Sequence, residues 1–262
     1  MTLTEALGVK PGDVVAFIGA GGKTTAMYRV AAELAARGLK VIVTTTTKIF
    51  PPDHAAVVLV LAGGDAGGQA TRAGEALRRA DVVAVAARTL PDGKLQGIEP
   101  EAVASLRAVP GVAAVLVEAD GSARKPFKAP AAHEPVIPRE TTLLVAVVGA
   151  DALGRSLAGD VAHRPELVAQ QGGIRMGDPI TPEAAARIIL GPANLSGRPP
   201  AARLAALITR ARTSAECEAA RRLARLLREG GAAPVVIAEL VVEPVSISVF
   251  HPSPPAGGRG RG

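Results

Sequence analysis

The sequence predicts a three-layer α/β fold built on a mostly parallel sheet, and three observations carry that expectation. Short apolar runs recur along the chain, and they are near-continuous rather than alternating, the pattern of strands buried on both faces. Segments with helical periodicity fall between them, so strands and helices alternate. The first two runs are joined by a glycine-rich loop and a helical stretch, which makes a βαβ unit of about 30 residues, long enough for parallel pairing.

In chain order, Asp13–Ile18 reads as the first strand, stopped by Gly19. From Thr24 the period changes, and Met27, Val30, Ala31, Leu34 and Ala35 share one helical face until Gly38, a natural terminator. Lys40–Thr44 is a second buried strand. Further strands are expected at Val57–Ala62, Asp81–Ala86, Val112–Glu118, Leu143–Val148, Leu204–Thr209 and Pro234–Leu240. Helices are expected at Glu101–Ala108, after Pro100, and at Thr181–Leu190, which opens on Thr-Pro-Glu. A third spans Thr213–Glu229, where Thr213 and Glu216 form a capping-box pair and Gly230 ends it. Glycine clusters at Gly63–Gly68 and Gly172–Gly177 read as loops. No linker divides the chain, so one domain is expected over 1–251, followed by a Pro/Gly/Arg-rich disordered tail over 252–262.

Composition narrows the function classes. Of 262 residues, 48% are apolar, enough for a sizeable core. Aromatics are 2%, with no Trp and a single Tyr28, which argues against the stacking platforms of single-strand nucleic-acid binders. The single Cys217 excludes an intramolecular disulfide framework and a cysteine-rich metal site. No basic start followed by an apolar run marks a secretion signal, and no run approaches the length of a membrane span, so a cytoplasmic protein is expected. The net charge of +6 is spread over Arg259 and Arg261 of the tail and an Arg-rich stretch from Arg198 to Arg228, read as a solvated face.

The strongest chemical signal is Gly19-Ala20-Gly21-Gly22-Lys23-Thr24-Thr25, set between a strand and a helix. Glycines allow close backbone approach to a phosphate chain, and a helix N-terminus supplies N–H donors and a favourable dipole. Lys23 would reach the β and γ phosphates, and the Thr24 hydroxyl would ligate Mg²⁺. Phe17 occupies the first glycine position of G-x-x-x-x-G-K-[ST], so the motif is the compact G-x-x-G-K-T-T, which resembles the phosphate loop of the Mur-type amide ligases. A P-loop NTPase-like fold follows. Next, Thr44-Thr45-Thr46-Thr47-Lys48 ends the second strand, and Thr45 and Thr46 are the hydroxyls expected at the ligand crevice if the strand alternates. The third element is Val115-Leu116-Val117-Glu118-Ala119-Asp120-Gly121, a buried strand ending in two carboxylates of the same parity, the content of a Walker B element. Catalytic and metal-organising roles are therefore expected of Lys23, Thr24, Glu118 and Asp120.

Together GAGGKTT, VTTTTKIFPP (Val43–Pro52), VEADGSARKPFKAPAAHEPVIP (Val117–Pro138), VGADALG (Val148–Gly154) and HRPE (His163–Glu166) resemble the selenium-dependent hydroxylase accessory proteins, the YqeC-like family. The resemblance runs from about Val14 through Thr181–Leu190 and loosely to Leu240. It implies a nucleotide-binding protein that helps make or insert the cofactor of selenium-dependent molybdenum hydroxylases, with a molybdopterin-type cofactor or the hydroxylase apoprotein as partner. The positions it carries over are Gly19, Gly21, Gly22, Lys23, Thr24, Thr25, Thr45, Thr46 and Lys48. Toward and beyond the end of the third strand they are Glu118, Asp120, Gly121, Lys125, Lys128, His133, Glu134, Pro135, His163 and Arg164.

A guanine-reading NTPase carries an Asn-Lys-x-Asp element after a late strand; here that place holds Thr209-Arg210-Ala211-Arg212, so ATP with Mg²⁺ is expected over GTP. The Pro-punctuated run Asp120–Pro138 reads as an ordered loop that does the work at the strand end. Lys125 and Lys128 are its expected contacts to a phosphate or an anionic second substrate. His133 with Glu134 reads as a proton-transfer pair, a metal contact or a structural pair, and the two need a turn to face one ligand. Arg164 either reaches phosphate or caps the helix that Pro165 opens. The reaction stays open between a nucleoside triphosphate hydrolase and an ATP-dependent transferase. The alternative is a ligase or kinase of small-molecule metabolism, Mur-ligase-like or dethiobiotin-synthetase-like.

Overall fold

The computed structural model describes residues 1–52, 56–240 and 246–250. The tail expected over 252–262 lies outside them. Strands in chain order are β1 (Asp13–Gly19), β2 (Lys40–Thr45), β3 (Lys48–Ile49), β4 (Val57–Leu61), β5 (Val82–Ala86), β6 (Arg88–Thr89), β7 (Leu95–Gln96), β8 (Val112–Glu118), β9 (Phe127–Lys128), β10 (Leu143–Gly149), β11 (Ala162–His163), β12 (Arg203–Thr209), β13 (Val235–Glu239) and β14 (Ser246–Phe250). Helices are α1 (Leu3–Ala6), α2 (Lys23–Ala35), α3 (Ala66–Ala76), α4 (Val103–Arg107), α5 (Pro165–Gly172), α6 (Pro182–Ile189) and α7 (Ser214–Glu229).

The main sheet runs β14-β13-β12-β10-β1-β8-β2-β5-β4, parallel throughout except for the antiparallel edge strand β14. The expected mostly parallel α/β architecture is therefore present. Alternate residues of β1 show why its run is apolar throughout. Val15 and Phe17 pack with Met27, Val30 and Leu34 of α2, whereas Ala16 and Ile18 pack toward α6 and α7 on the opposite face. Helices α3 and α4 cover β2, β5 and β8 on that second face. Each fully buried Val, Leu or Ile here contributes roughly 1.5–3 kcal/mol of transfer free energy.

Some expectations need correction. The cluster Gly63–Gly68 is a loop only as far as Asp65, which N-caps α3 by accepting the Gly68 N–H at 2.7 Å. Aspartate at the cap outweighs the two glycines in the first turn. The helix expected over Glu101–Ala108 begins as a 3₁₀ turn, Pro100–Ala102, before the α-helical part at Val103–Arg107. Of the expected Arg face, Arg203 is drawn into the fold by an ion pair with Asp13.

Two features place a crevice. Asp13 ties the amino ends of β1, β10 and β12 together, accepting the Thr142 hydroxyl at 2.6 Å and pairing with Arg203 at 2.6 Å. At the carboxyl ends, the chain leaves β1 through α2 toward β2 on one side, and leaves β10 toward β12 on the other. That reversal of direction is a topological switch point, where open α/β sheets hold ligands. The glycine-rich loop lies there.

Candidate functional site

The loop is bonded to three neighbouring strand ends. The Gly19 N–H donates to Asp120 Oδ2 at 2.8 Å, the Ala20 N–H to Val147 O at 2.9 Å, and the Thr209 hydroxyl to Gly21 O. Gly19, Gly21 and Gly22 all have positive φ, at 93°, 88° and 127°. A Cβ on Gly19 would overlap Val147 O, and one on Gly21 would overlap the Gly149 backbone. Glycine at these two positions is therefore demanded by the packing of backbone on backbone. Gly22 differs: its neighbours are the Thr209 side chain at 3.7 Å, so only its backbone angle requires glycine. As the N-cap of α2 it provides no side-chain cap, and the first turn carries no acidic residue. The N-terminus of this 13-residue helix thus presents N–H groups and the positive end of its dipole to the space in front of it.

Two carboxylates converge on the first residues of α2. The Thr24 hydroxyl donates to Glu118 Oε2 at 2.6 Å. Lys23 Nζ donates to Gly19 O at 2.6 Å and lies 3.0 Å from Asp120 Oδ1 and 3.9 Å from Glu118 Oε1. The shared parity of Glu118 and Asp120 does bring both to the same lysine. Burial disfavours the Lys23 ammonium, but the Asp120 and Glu118 charges outweigh it and raise its pKa. Burial also pushes the Glu118 carboxyl up, against the opposing pull of Lys23 and the Thr24 hydrogen bond.

A second layer stands behind the first. Lys128 Nζ pairs with Asp120 Oδ2 at 3.0 Å and Glu134 Oε2 at 2.7 Å, and Arg164 Nη1 reaches the same Glu134 oxygen at 2.7 Å. The Glu134 N–H closes a turn on Ala131 O at 2.9 Å, which leaves Glu134 buried and His133 exposed. Arg164 is the N-cap residue of α5, in the left-handed region at φ 58°, with Pro165 following as N1. Burial raises the Glu134 pKa, yet the hydrogen bonds from Arg164 and Lys128 prevail and hold it at about 2 against an ordinary 4.5. A carboxylate depressed in the folded state contributes stability that is fully present above pH ~4.5 and lost as pH falls through ~2, amounting to no more than about 3 kcal/mol. Glu134→Gln is expected to lose most of this at pH 7 and to show a flatter dependence of stability on pH below ~4.5. Urea unfolding at pH 7, 4.5 and 3 measures it, and parallel curves for the two proteins would refute the assignment.

A cavity of about 1470 Å³ opens over this constellation. Gly21, Gly22, Lys23, Thr24, Thr25 and Glu118 form its floor. Thr46 and Lys48 line one flank, and Lys125, His133 and Arg164 line the rim. Four residues expected at the ligand lie behind the surface instead. Gly19 spends its N–H on Asp120, and Thr45 spends its hydroxyl on Glu118 O at 2.8 Å. Asp120 and Lys128 are buried against each other and against Lys23 and Glu134, and neither lines the cavity. Thr46 Oγ1 faces the loop, donating to Val136 O at 2.7 Å, and Lys125 bonds Asp160 O at 3.3 Å.

The cavity also takes in residues outside the motifs. Tyr28 lies one turn beyond Thr24 on the same helix face, and burial with the Glu118 charge pushes its hydroxyl pKa up to about 12, so it remains protonated. Its one available signal is that it is the only tyrosine in the chain, at i+4 from the loop threonine. His163 lies at the rim with its pKa lowered by burial and by Arg164, which leaves the ring neutral at pH 7. Phe50 and Arg124 occupy the flank beyond Lys48.

The donor chemistry fits Mg²⁺. This ion wants six oxygens, keeps several waters, and usually takes only one or two ligands from protein beside substrate phosphates. Thr24 Oγ1 and the Glu118 carboxylate are such a pair of hard donors, adjacent and on the cavity floor. No cluster of three or more His, Cys, Asp or Glu able to hold a metal alone occurs among the described residues.

A sequence model of the family described as YqeC protein matches residues 15–166, more than half of the chain, and the chain belongs to that family. The protein of Escherichia coli (strain K12) named "Uncharacterized protein YqeC" is 34% identical over 163 residues, covering 58% of this chain and 57% of the relative. The chain thus spans little more than half the length of that relative. The family match includes the loop, the threonine run, both carboxylates and Arg164, whereas β12, α6, α7 and β13 lie beyond it. No helix among the described residues is long and apolar enough to cross a membrane.

Proposed function

We propose that this member of the YqeC family binds Mg·ATP at the N-terminus of α2 and transfers or hydrolyses its terminal phosphoryl group. The observation that carries the reading is the Thr24–Glu118 hydrogen bond of 2.6 Å, set on the cavity floor beside Lys23 at an uncapped helix N-terminus. In this assignment the α2 N–H groups and Lys23 hold the β and γ phosphates. Thr24 and Glu118 hold the ion, and Mg²⁺ supplies charge neutralisation at the phosphoryl oxygens when bound. The raised pKa of Glu118 makes a divalent cation a favourable partner, because the ion provides positive charge that Lys23 alone does not. Asp120 and Lys128 act as positioning residues: they fix the Lys23 ammonium without touching ligand. In Thr209-Arg210-Ala211-Arg212, at the end of β12, Arg212 stands where a guanine reader needs a carboxylate, which favours adenine.

The cavity volume of about 1470 Å³ exceeds the roughly 300–1,000 Å³ of common small-ligand pockets, which favours a second ligand and hence a transferase or ligase step over a bare nucleotide switch. Its place in the maturation of selenium-dependent molybdenum hydroxylases, on a molybdopterin-type cofactor or the apoprotein, rests on the motif resemblance. Restoring hydroxylase activity in cells lacking this protein, with the wild type but not with Thr24→Ala, tests that placement.

Calorimetry tests the nucleotide reading. ATP is expected to bind with Mg²⁺ at least tenfold more tightly than in EDTA, and Thr24→Ala is expected to remove most of that difference. Failure of both Mg·ATP and Mg·GTP to bind sinks the reading.

A further inference from the structure

We infer that Phe50, Arg124 and Lys94 form a second subsite in the same cavity, built to hold a planar, anionic heteroaromatic ligand beside the terminal phosphate. The inference rests on the nucleotide reading for the location of the phosphate and deepens it by naming the class of acceptor.

Phe50 carries the case. Phenylalanine is normally buried, and this chain contains only four, yet Phe50 is 44% exposed and lines the cavity. Two cations are held over its ring: Arg124 Cζ lies 4.1 Å from the ring centroid and Lys94 Nζ 5.3 Å. These distances are those of cation–π contacts. Three separate segments converge to make the cluster: the extension of β2, the hairpin between β6 and β7, and the loop after β8. Arg124 and its neighbour Ala123 both stand in the left-handed region, at φ 60° and 46°. Two successive non-glycine residues there are uncommon and strained, and strain of this kind collects at ligand sites. A guanidinium lying on an aromatic ring offers a flat, positively charged surface. A flat anion satisfies it on both counts, stacking by its face while its charge meets Arg124, Lys94 and the nearby Lys48.

The position favours the acceptor over the nucleotide base. The hydrogen-bonded pair Thr24–Glu118 marks where the terminal phosphates would lie, and Glu118 belongs to β8, which stands between β1 and β2. The phosphate chain would then point its free end toward β2, whose continuation is Thr46 to Phe50. Phe50 lies four positions after Thr46, a reach of no more than about 14 Å. The opposite flank, at β12, holds Arg210 and is left for the base.

The chain lacks tryptophan, so Phe50→Trp installs a single tryptophan in the subsite, excited selectively over Tyr28, while keeping an aromatic face. The probes are flavin mononucleotide and pterin-6-carboxylate as planar anions, uncharged pterin as a ring without charge, and succinate as charge without a ring. The planar anions are expected to quench the tryptophan fluorescence of the F50W protein, and to bind the wild type roughly tenfold more tightly than either Phe50→Ala or Arg124→Ala, the scale of one lost stacking face. Uncharged pterin and succinate are each expected to bind at least tenfold more weakly than the planar anions. Mg·ATP affinity is expected to change less than twofold in both alanine variants. If neither planar anion binds, or both bind F50A as well as wild type, the subsite is refuted. If F50A instead weakens Mg·ATP tenfold, Phe50 is the base platform and the inference is also overturned. If planar anions depend on Phe50 while no nucleotide binds, the subsite stands and it is the nucleotide reading that fails.

Discussion

Lys23→Ala is expected to weaken Mg·ATP binding roughly 100-fold, the scale of one lost hydrogen bond between charged groups in a water-poor site. Among the described residues, Lys23 is the ammonium at the base of the cavity floor, and its hydrogens are only partly committed, since Gly19 O takes one of three and Asp120 Oδ1, 3.0 Å away, a second. Asp120 keeps it charged and aimed without consuming all its donors. The same substitution also strips Asp120, which is fully buried, of one of its two lysine partners. Breaking a buried pair costs about 3–5 kcal/mol, and the lower end applies where Lys128 and the Gly19 N–H remain. Destabilisation alone therefore has to be separated from lost ligand contact. Lys128→Met does so, because it removes the other partner of Asp120 from behind the cavity surface. The two variants are expected to have similarly lowered urea midpoints, with Lys128→Met keeping Mg·ATP affinity within about fivefold of wild type. Equal losses of affinity in the two variants would remove Lys23 from the phosphate site.

The contrast between Lys23 and Lys128 marks the boundary of what is legible in the sequence. The strands are legible because parallel strands buried on both faces must be continuously apolar, and Val112–Glu118 is found over its expected span. The cap at Thr213 is equally plain, since its capping box is a local pattern of residues three apart. Local too are the separate pieces of the site, the loop with its helix start and the strand-end acid, although Thr24 and Glu118 meet across 94 residues of chain. Depth is not legible. Asp120 and Lys128 read as ligand contacts because both stand in the run that follows β8 at the crevice, but they neutralise each other across eight residues of chain and sink together. Glu134 gives no sign that its partner is Arg164, 30 residues away. Glycines in the loop read as room for phosphate, whereas Gly19 and Gly21 answer first to Val147 and Gly149 of β10, a strand whose adjacency to β1 only the sheet order reveals. Helix α3 is hidden for a different reason: two glycines mask a helix whose start Asp65 fixes.

Asp120→Ala is expected to be the most destabilising single change in the site, by roughly 3–5 kcal/mol, a large share of the 5–15 kcal/mol that holds a typical domain together. Asp120 stands at 0% exposure between Lys23 and Lys128, each 3% exposed, and also accepts the Gly19 N–H. Its removal leaves two buried ammonium groups sharing the remaining carboxylates Glu118 and Glu134, and frees the loop end from the chain that follows β8. Asp120→Asn keeps an acceptor for Gly19 and loses only the charge, so a smaller loss of stability is expected. The asparagine variant also separates two roles. A carboxylate that ligates Mg²⁺ raises the ion concentration needed for ATP binding when it is neutralised; one that only positions Lys23 does not. Glu118, which lies on the cavity floor and accepts the Thr24 hydroxyl, is the one placed to ligate. Titrating Mg²⁺ at fixed ATP is therefore expected to show a midpoint shifted upward at least tenfold in Glu118→Gln and little changed in Asp120→Asn, whose defect is instead a uniform loss of ATP affinity at saturating Mg²⁺. An equal shift in both variants would place Asp120 at the metal and require the loop to open around it on binding.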